Sequence, residues 1–182
     1  SVPSAPAQGT PLSVSCATTT SCMAVGVATE TDGTNTGQLI EQFNGTSWSV
    51  MPNPPFSPPA VPTLTAVSCA SASFCVAAGN SEAPGDNAVG LIETYNESSW
   101  AVGSIPSTEG TSSQFRGVSC PTSSFCAAVG STGNGPLFDV QSLGTWSALD
   151  APAVSGNYAT ALDGVNCPGV NTCVAVGNTA PN

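Results

Sequence analysis

Eight cysteines fall into four pairs, Cys16/Cys22, Cys69/Cys75, Cys120/Cys126 and Cys167/Cys173, each enclosing five residues and recurring with a period of about fifty. The text around them recurs too. Leu12-Ser-Val14-Ser-Cys16 followed by Cys22-Met-Ala-Val-Gly26 returns as Leu64-Thr-Ala-Val67-Ser-Cys69 and Cys75-Val-Ala-Ala-Gly79. It returns again as Phe115-Arg-Gly-Val118-Ser-Cys120 with Cys126-Ala-Ala-Val-Gly130, and as Leu162-Asp-Gly-Val165-Asn-Cys167 with Cys173-Val-Ala-Val-Gly177. A second block follows in the first three units: Leu39-Ile-Glu41-Gln-Phe43-Asn-Gly-Thr-Ser-Trp48, Leu91-Ile-Glu93-Thr-Tyr95-Asn-Glu-Ser-Ser-Trp100 and Leu137-Phe-Asp139-Val-Gln-Ser-Leu-Gly-Thr-Trp146. A chain that repeats itself in this way folds as repeated supersecondary units stacked on one another.

Within each unit, apolar and small residues alternate over five or six positions between Gly, Pro, Asn and Ser, which reads as short β-strands; nothing shows a 3.6-residue apolar stripe. Four segments are expected per unit: a (to the first Cys), b (second Cys to the Gly), c (through Leu-Ile-Glu) and d (Trp and the two residues after it). Four antiparallel strands in about fifty residues, repeated, define a β-propeller blade; a β-helix coil is much shorter, and a sandwich has no reason to repeat. The expected fold is all-β, with three complete blades, a split fourth and one hairpin disulfide per blade. The expected division is residues 1–10, the end of a d strand and a linker; 11–62, blade 1; 63–113, blade 2; 114–160, blade 3; and 161–182, the a–b hairpin of blade 4. Ser1-Val2-Pro3 matches the residues after Trp48, Ser49-Val50-Met51-Pro52, so the chain reads as starting within a d strand. That strand completes the last blade in the same molecule, or the ends pair with other copies or with a further part of a longer polypeptide.

Composition removes several functions. Among 182 residues there is one cation, Arg116, no histidine, and eleven carboxylates, for a net charge of −10. Binding to nucleic-acid phosphates needs clusters of Lys and Arg, and histidine bases and histidine metal sites are excluded. No apolar run reaches the roughly 18–20 residues of a membrane span, and 40% hydrophobic residues suffice for a folded core. The absence of an initiator Met and of a charged leader makes the chain read as a mature or excised segment.

The Cys-x5-Cys spacing brackets a hairpin turn and favours local disulfides in an oxidising compartment, hence a secreted or surface-displayed protein. Zinc, which usually takes shorter knuckles, and unpaired buried thiols are the competing readings. Trp48, Trp100 and Trp146 occupy one repeat position; they serve inter-blade packing or form stacking platforms for sugar rings. Glu41, Glu93 and Asp139 share another position. Equivalent acids have equivalent surroundings, which speaks against the unequal pair a glycosidase requires. Asp32-Gly-Thr-Asn-Thr-Gly37 and Gly85-Asp86-Asn87 offer oxygens to calcium without forming its twelve-residue loop, so no metal site is assigned and calcium stands as the one candidate cofactor. Asn44-Gly-Thr46 and Asn96-Glu-Ser98 are formal glycosylation sequons that read better as turns.

Asn44-Gly-Thr-Ser-Trp48, with the Val-Ser-Cys and Ala-Val-Gly strands, resembles the bacterial-neuraminidase or Asp-box propeller repeats of the photosystem-assembly-factor-like type, in the cysteine-bearing form of secreted actinobacterial proteins. The resemblance implies a propeller and secretion. Where that group carries Asp before Gly-Gly-x-Thr-Trp, this chain has Phe43, Tyr95 and Gln141, and with one Arg the arginine triad of sialidases does not carry over.

The leading functional expectation is a secreted, non-catalytic, lectin-like propeller that binds a glycan or cell-surface ligand through Trp48, Trp100, Trp146, Glu41, Glu93 and Asp139. The second is an extracellular structural protein that assembles head to tail by completing its split blade with a neighbour's strand. Glycoside hydrolysis is third.

Overall fold

A computed structural model describes residues 9–29, 35–56, 61–82, 87–106, 112–149 and 158–181. Ser1-Val2-Pro3 and most of both candidate calcium loops lie outside the described residues. Fourteen strands and no helix are present among those described. The first sheet holds β1 (Gly9–Thr18), β2 (Ser21–Thr29), β3 (Asn35–Phe43) and β4 (Trp48–Val50), hydrogen-bonded in chain order. The second repeats it with β5 (Val61–Ser71), β6 (Phe74–Glu82), β7 (Val89–Tyr95) and β8 (Trp100–Val102). The third uses β9 (Ser113–Thr122), β10 (Phe125–Thr132), β11 (Gly135–Ser142) and β12 (Thr145–Ala148). A two-stranded sheet, β13 (Tyr158–Gly169) and β14 (Thr172–Pro181), follows. These are β-propeller blades: three whole and one represented by its first hairpin. The first strand starts at Gly9, inside the span expected to be linker, and the first two strands of every blade run past the cysteines and the glycine that marked their expected ends.

All eight cysteines are joined, Cys16–Cys22, Cys69–Cys75, Cys120–Cys126 and Cys167–Cys173, with none left free. Each bond ties the first strand of a blade to its second across a tight turn, and closing so short a loop contributes about 2 kcal/mol through the unfolded chain. Four such bonds belong to an oxidising environment.

Consecutive sheets pack face to face. Met23, Val25 and Ile40 of the first blade pack on Leu64, Cys75, Ala77, Leu91, Tyr95 and Trp100 of the second. Val76, Ala78 and Ile92 of the second pack on Phe115, Val118, Cys126, Ala128 and Leu137 of the third. Period-two alternation sends each blade's disulfide and Leu-x-acid-x-aromatic residues toward the preceding blade, and the intervening second-strand residues, Met23 and Val25 in the first blade and Val76 and Ala78 in the second, toward the following one.

A hydroxyl fixes the register of this stacking. The serine before each first cysteine accepts a hydrogen bond from the backbone N–H of the next blade's first cysteine: Cys69 N–H to Ser15 Oγ at 3.0 Å, Cys120 N–H to Ser68 Oγ at 2.9 Å and Cys167 N–H to Ser119 Oγ at 3.0 Å.

The same repeat explains its glycine. Opposite Gly26, Gly79, Gly130 and Gly177 the first strand bulges, with Leu12, Thr65, Arg116 and Asp163 as the extra residues. The bulge drives a carbonyl onto the glycine. A Cβ there would lie 2.0, 1.9, 1.9 and 2.0 Å from the carbonyl oxygens of Thr10, Thr63, Gln114 and Ala161. The bulge residues also bridge blades: Thr65 Oγ1 donates to Phe115 O at 2.8 Å, and Arg116 Nη1 to Asp163 Oδ1 at 2.7 Å.

Gly130→Ala is therefore expected to destabilise the protein by about 3 kcal/mol, since backbone must move to admit the methyl. Gly133→Ala, whose Cβ would meet only the Ser112 side chain at 3.5 Å, is expected to be near neutral. Thermal unfolding of the two variants measures the difference.

Candidate functional site

The three carboxyls stand in one register. Glu41, Glu93 and Asp139 face Ala24, Ala77 and Ala128 on the second strand of their blades and Val50, Val102 and Ala148 on the fourth. All three are closed off, at 1%, 0% and 0% exposure. Glu93 reaches back to the first blade, where Gln38 Nε2 donates to its Oε2 at 3.0 Å in the buried interface. Burial pushes the Glu93 carboxyl up to about 7, the Gln38 hydrogen bond opposing the rise, and burial raises Glu41 as well. The acids thus sit in the blade packing, away from any ligand in solution.

The tryptophans have diverged. Trp100 is 4% exposed, tilted against Tyr95 with ring centroids 5.5 Å apart, and sealed by Met51 and Phe56 from the linker after the first blade. Trp48 makes the same contact with Phe43, at 5.3 Å, but is half-buried. Trp146 has no aromatic partner: Gln141 stands where Phe43 and Tyr95 stand in the other blades.

Around Trp146 a cleft of about 590 Å³ opens between the second and third blades, lined also by Phe74, Thr94, Ser104, Ile105 and Gln141, within the usual range for small-ligand sites. Two changes from the preceding interface create it. Met51 and Gly103 are equivalent, each donating its N–H to the third strand, to Ile40 O at 2.9 Å and Ile92 O at 2.8 Å. Glycine leaves unfilled the space that methionine fills, and Gln141 replaces the ring. Gln141, which lines the cleft, is 4% exposed, and its Oε1 is sealed from solvent with no hydrogen-bond partner among the described residues. Its other polar groups among the described residues are hydroxyls, backbone and the Trp146 indole N–H.

Of the six expected ligand residues, Trp146 lines this cleft, whereas Glu41, Glu93, Asp139 and Trp100 are buried. Gln141 and Gly103 were missed, although their departure from the repeat was readable as an aromatic lost from one block and a large side chain lost from one linker. No group of cysteine or acidic side chains able to hold a metal occurs among the described residues. No helix among them is long and apolar enough to cross a membrane.

No family model matches the sequence, and no curated protein does. Among solved structures, YCF48 bound to D1 peptide is similar, with a TM-score of 0.45 and 14% identity over 90% of this chain and 59% of that one. The chain spans about three-fifths of that protein's length. The propeller architecture itself rests on strand order and blade stacking.

The raised Glu93 pKa has a pH signature. The folded state holds a proton that the unfolded state releases, so this contribution is complete below pH 4.5 and is lost as pH rises through about 7. Glu93→Gln is expected to abolish that decline, matching the parent near pH 4.5 and exceeding it by on the order of 2–3 kcal/mol at pH 8. Urea unfolding of both proteins across this range checks the sign.

Proposed function

We propose that this chain is a secreted, non-catalytic β-propeller module that binds a glycan, or another hydroxyl-bearing cell-surface ligand, in the cleft between its second and third blades. The supporting observation is the conjunction of Trp146 with the hydroxyls of Thr94, Ser104, Ser123 and Thr145 in one cleft. A sugar offers the matching chemistry, an apolar ring face to stack on the indole and hydroxyls to exchange hydrogen bonds with those of the cleft. Hydrolysis needs two carboxyls at the bond, and the described lining residues of the cleft include none. The oxidising environment that four disulfides require supports secretion, as does the resemblance of the sequence to secreted Asp-box-like repeats.

A second reading is the extracellular structural protein that joins head to tail through its split blade, with the apolar face of β14 as the surface a neighbouring copy would cover. Val174 and Val176 are 64% and 65% exposed, whereas Val76 and Ala78 at the same positions of the second blade are at 0%.

A glycan array and a cell-wall pulldown test the ligand reading. Trp146→Ala and Gly103→Met are each expected to reduce retention at least tenfold, the second by refilling the cleft, since a Cβ at Gly103 makes only an ordinary 3.4 Å contact with Ile92 O. Trp48→Ala is expected to leave retention unchanged. Binding that persists with the cleft filled refutes the site. Sedimentation tests the second reading: a molecular mass that stays constant as concentration rises removes it.

A further inference from the structure

The turn between the third and fourth strands of each complete blade holds a left-handed residue at one repeat position: Gly45 at φ 93°, Glu97 at φ 78° and Leu143 at φ 50°. Glycine adopts that conformation freely, and the exposed glutamate keeps its charge in water. A leucine there is strained. In the third blade, Leu143 and Gly144 form a two-residue turn between the paired Ser142 and Thr145, with φ positive at both positions. Asparagine followed by glycine is the pair such a turn favours.

Burial gives nothing back for this strain. At 85% exposure, Leu143 is the most exposed large apolar side chain among the described residues. Its backbone is fixed at the rim of the cleft between the second and third blades. The Leu143 N–H donates to Ser124 O at 3.0 Å, and both Ser123, beside that carbonyl, and Gly144, Thr145 and Trp146, which follow Leu143, line the cleft. A residue held in a strained conformation without burial inside the fold points to a contact made outside it. Leucine has no hydrogen-bonding side chain, so an apolar group is the one that gains by covering it.

We propose that Leu143 is a specificity-determining residue of the cleft, and that the ligand is a glycoside whose sugar lies on Trp146 and whose apolar substituent, an alkyl or acyl chain, leaves the cleft across Leu143. The inference rests on the glycan reading and names the class of glycan. The hydroxyls of Thr94, Ser104, Ser123 and Thr145 serve the sugar. The leucine serves the chain, and its strain is offset only when the chain covers it.

The test titrates methyl and octyl β-glycosides of glucose, galactose and mannose, the octyl forms below their micellar concentrations, into the 182-residue chain, following the amide signals of Gly144 and Thr145 by NMR. At least one octyl glycoside is expected to bind about tenfold more tightly than its methyl counterpart. Leu143→Asn is expected to bring that ratio down to about threefold or less and to leave the methyl glycoside's affinity unchanged. The same substitution is expected to raise Tm by about 2–4 °C, because it supplies the residue the turn favours. A purely structural leucine would lose stability on replacement, so the opposite movement of stability and affinity separates the two roles. Equal methyl and octyl affinities in the parent, a ratio that persists in Leu143→Asn, or a Tm that falls overturns this proposal and leaves the glycan reading standing. Failure of every glycoside to bind the parent up to about 10 mM overturns both.

Discussion

Every blade after the first is held to its predecessor by the same contact: a serine hydroxyl receives a cysteine backbone N–H across the seam between two sheets. A lone hydrogen bond of this kind contributes about 1 kcal/mol. Its larger effect is on register. A sheet face of Val and Ala would tolerate sliding, but sliding would leave the cysteine amide buried and unpaired, which costs more than the bond contributes. With register fixed, the apolar faces meet in the same way each time. The terminal blade shows how far burial depends on having a neighbour: the valines that are sealed inside the stack face solvent where it ends.

Much of this was legible in the sequence because duplication amplifies weak signals. Alternation in a five-residue segment is ambiguous once and decisive four times. The Cys-x5-Cys spacing favoured hairpin disulfides over zinc or unpaired thiols, and all four bonds are present. What misaligned was Leu12, which looks like the partner of Leu64 but is the bulge residue, Pro11 being the one opposite Gly26. A bulge adds one residue without changing composition, so sequence registers it only as a one-residue difference in length. The glycine of Ala-Val-Gly was read as punctuation at a strand end; its reason is a carbonyl pressed against it from the bulged strand, a contact between chain segments that no local pattern reveals.

The functional site was the less legible part, for a physical reason. Repeated residues are those that packing needs in every blade, and Glu41, Glu93, Asp139 and Trp100 proved to be interior. Duplication copies cores more faithfully than it copies binding surfaces. The cleft arises where the repeat is broken, at Gly103 in place of a methionine and Gln141 in place of an aromatic ring. Glu93 keeps a role of its own, since burial between blades favours its neutral form over its ionised one, which links the stability of the stack to pH.

The central claim, that blades are stacked in register by hydroxyl-to-amide contacts running one way along the chain, is tested most directly by amide hydrogen exchange resolved at Cys69, Cys120 and Cys167. In Ser68→Ala the account predicts faster exchange at Cys120, one blade onward, with Cys69 and Cys167 unchanged; Ser15→Ala and Ser119→Ala should each shift the effect by one blade. Acceleration within the substituted blade alone, or at all three cysteines equally, would contradict it.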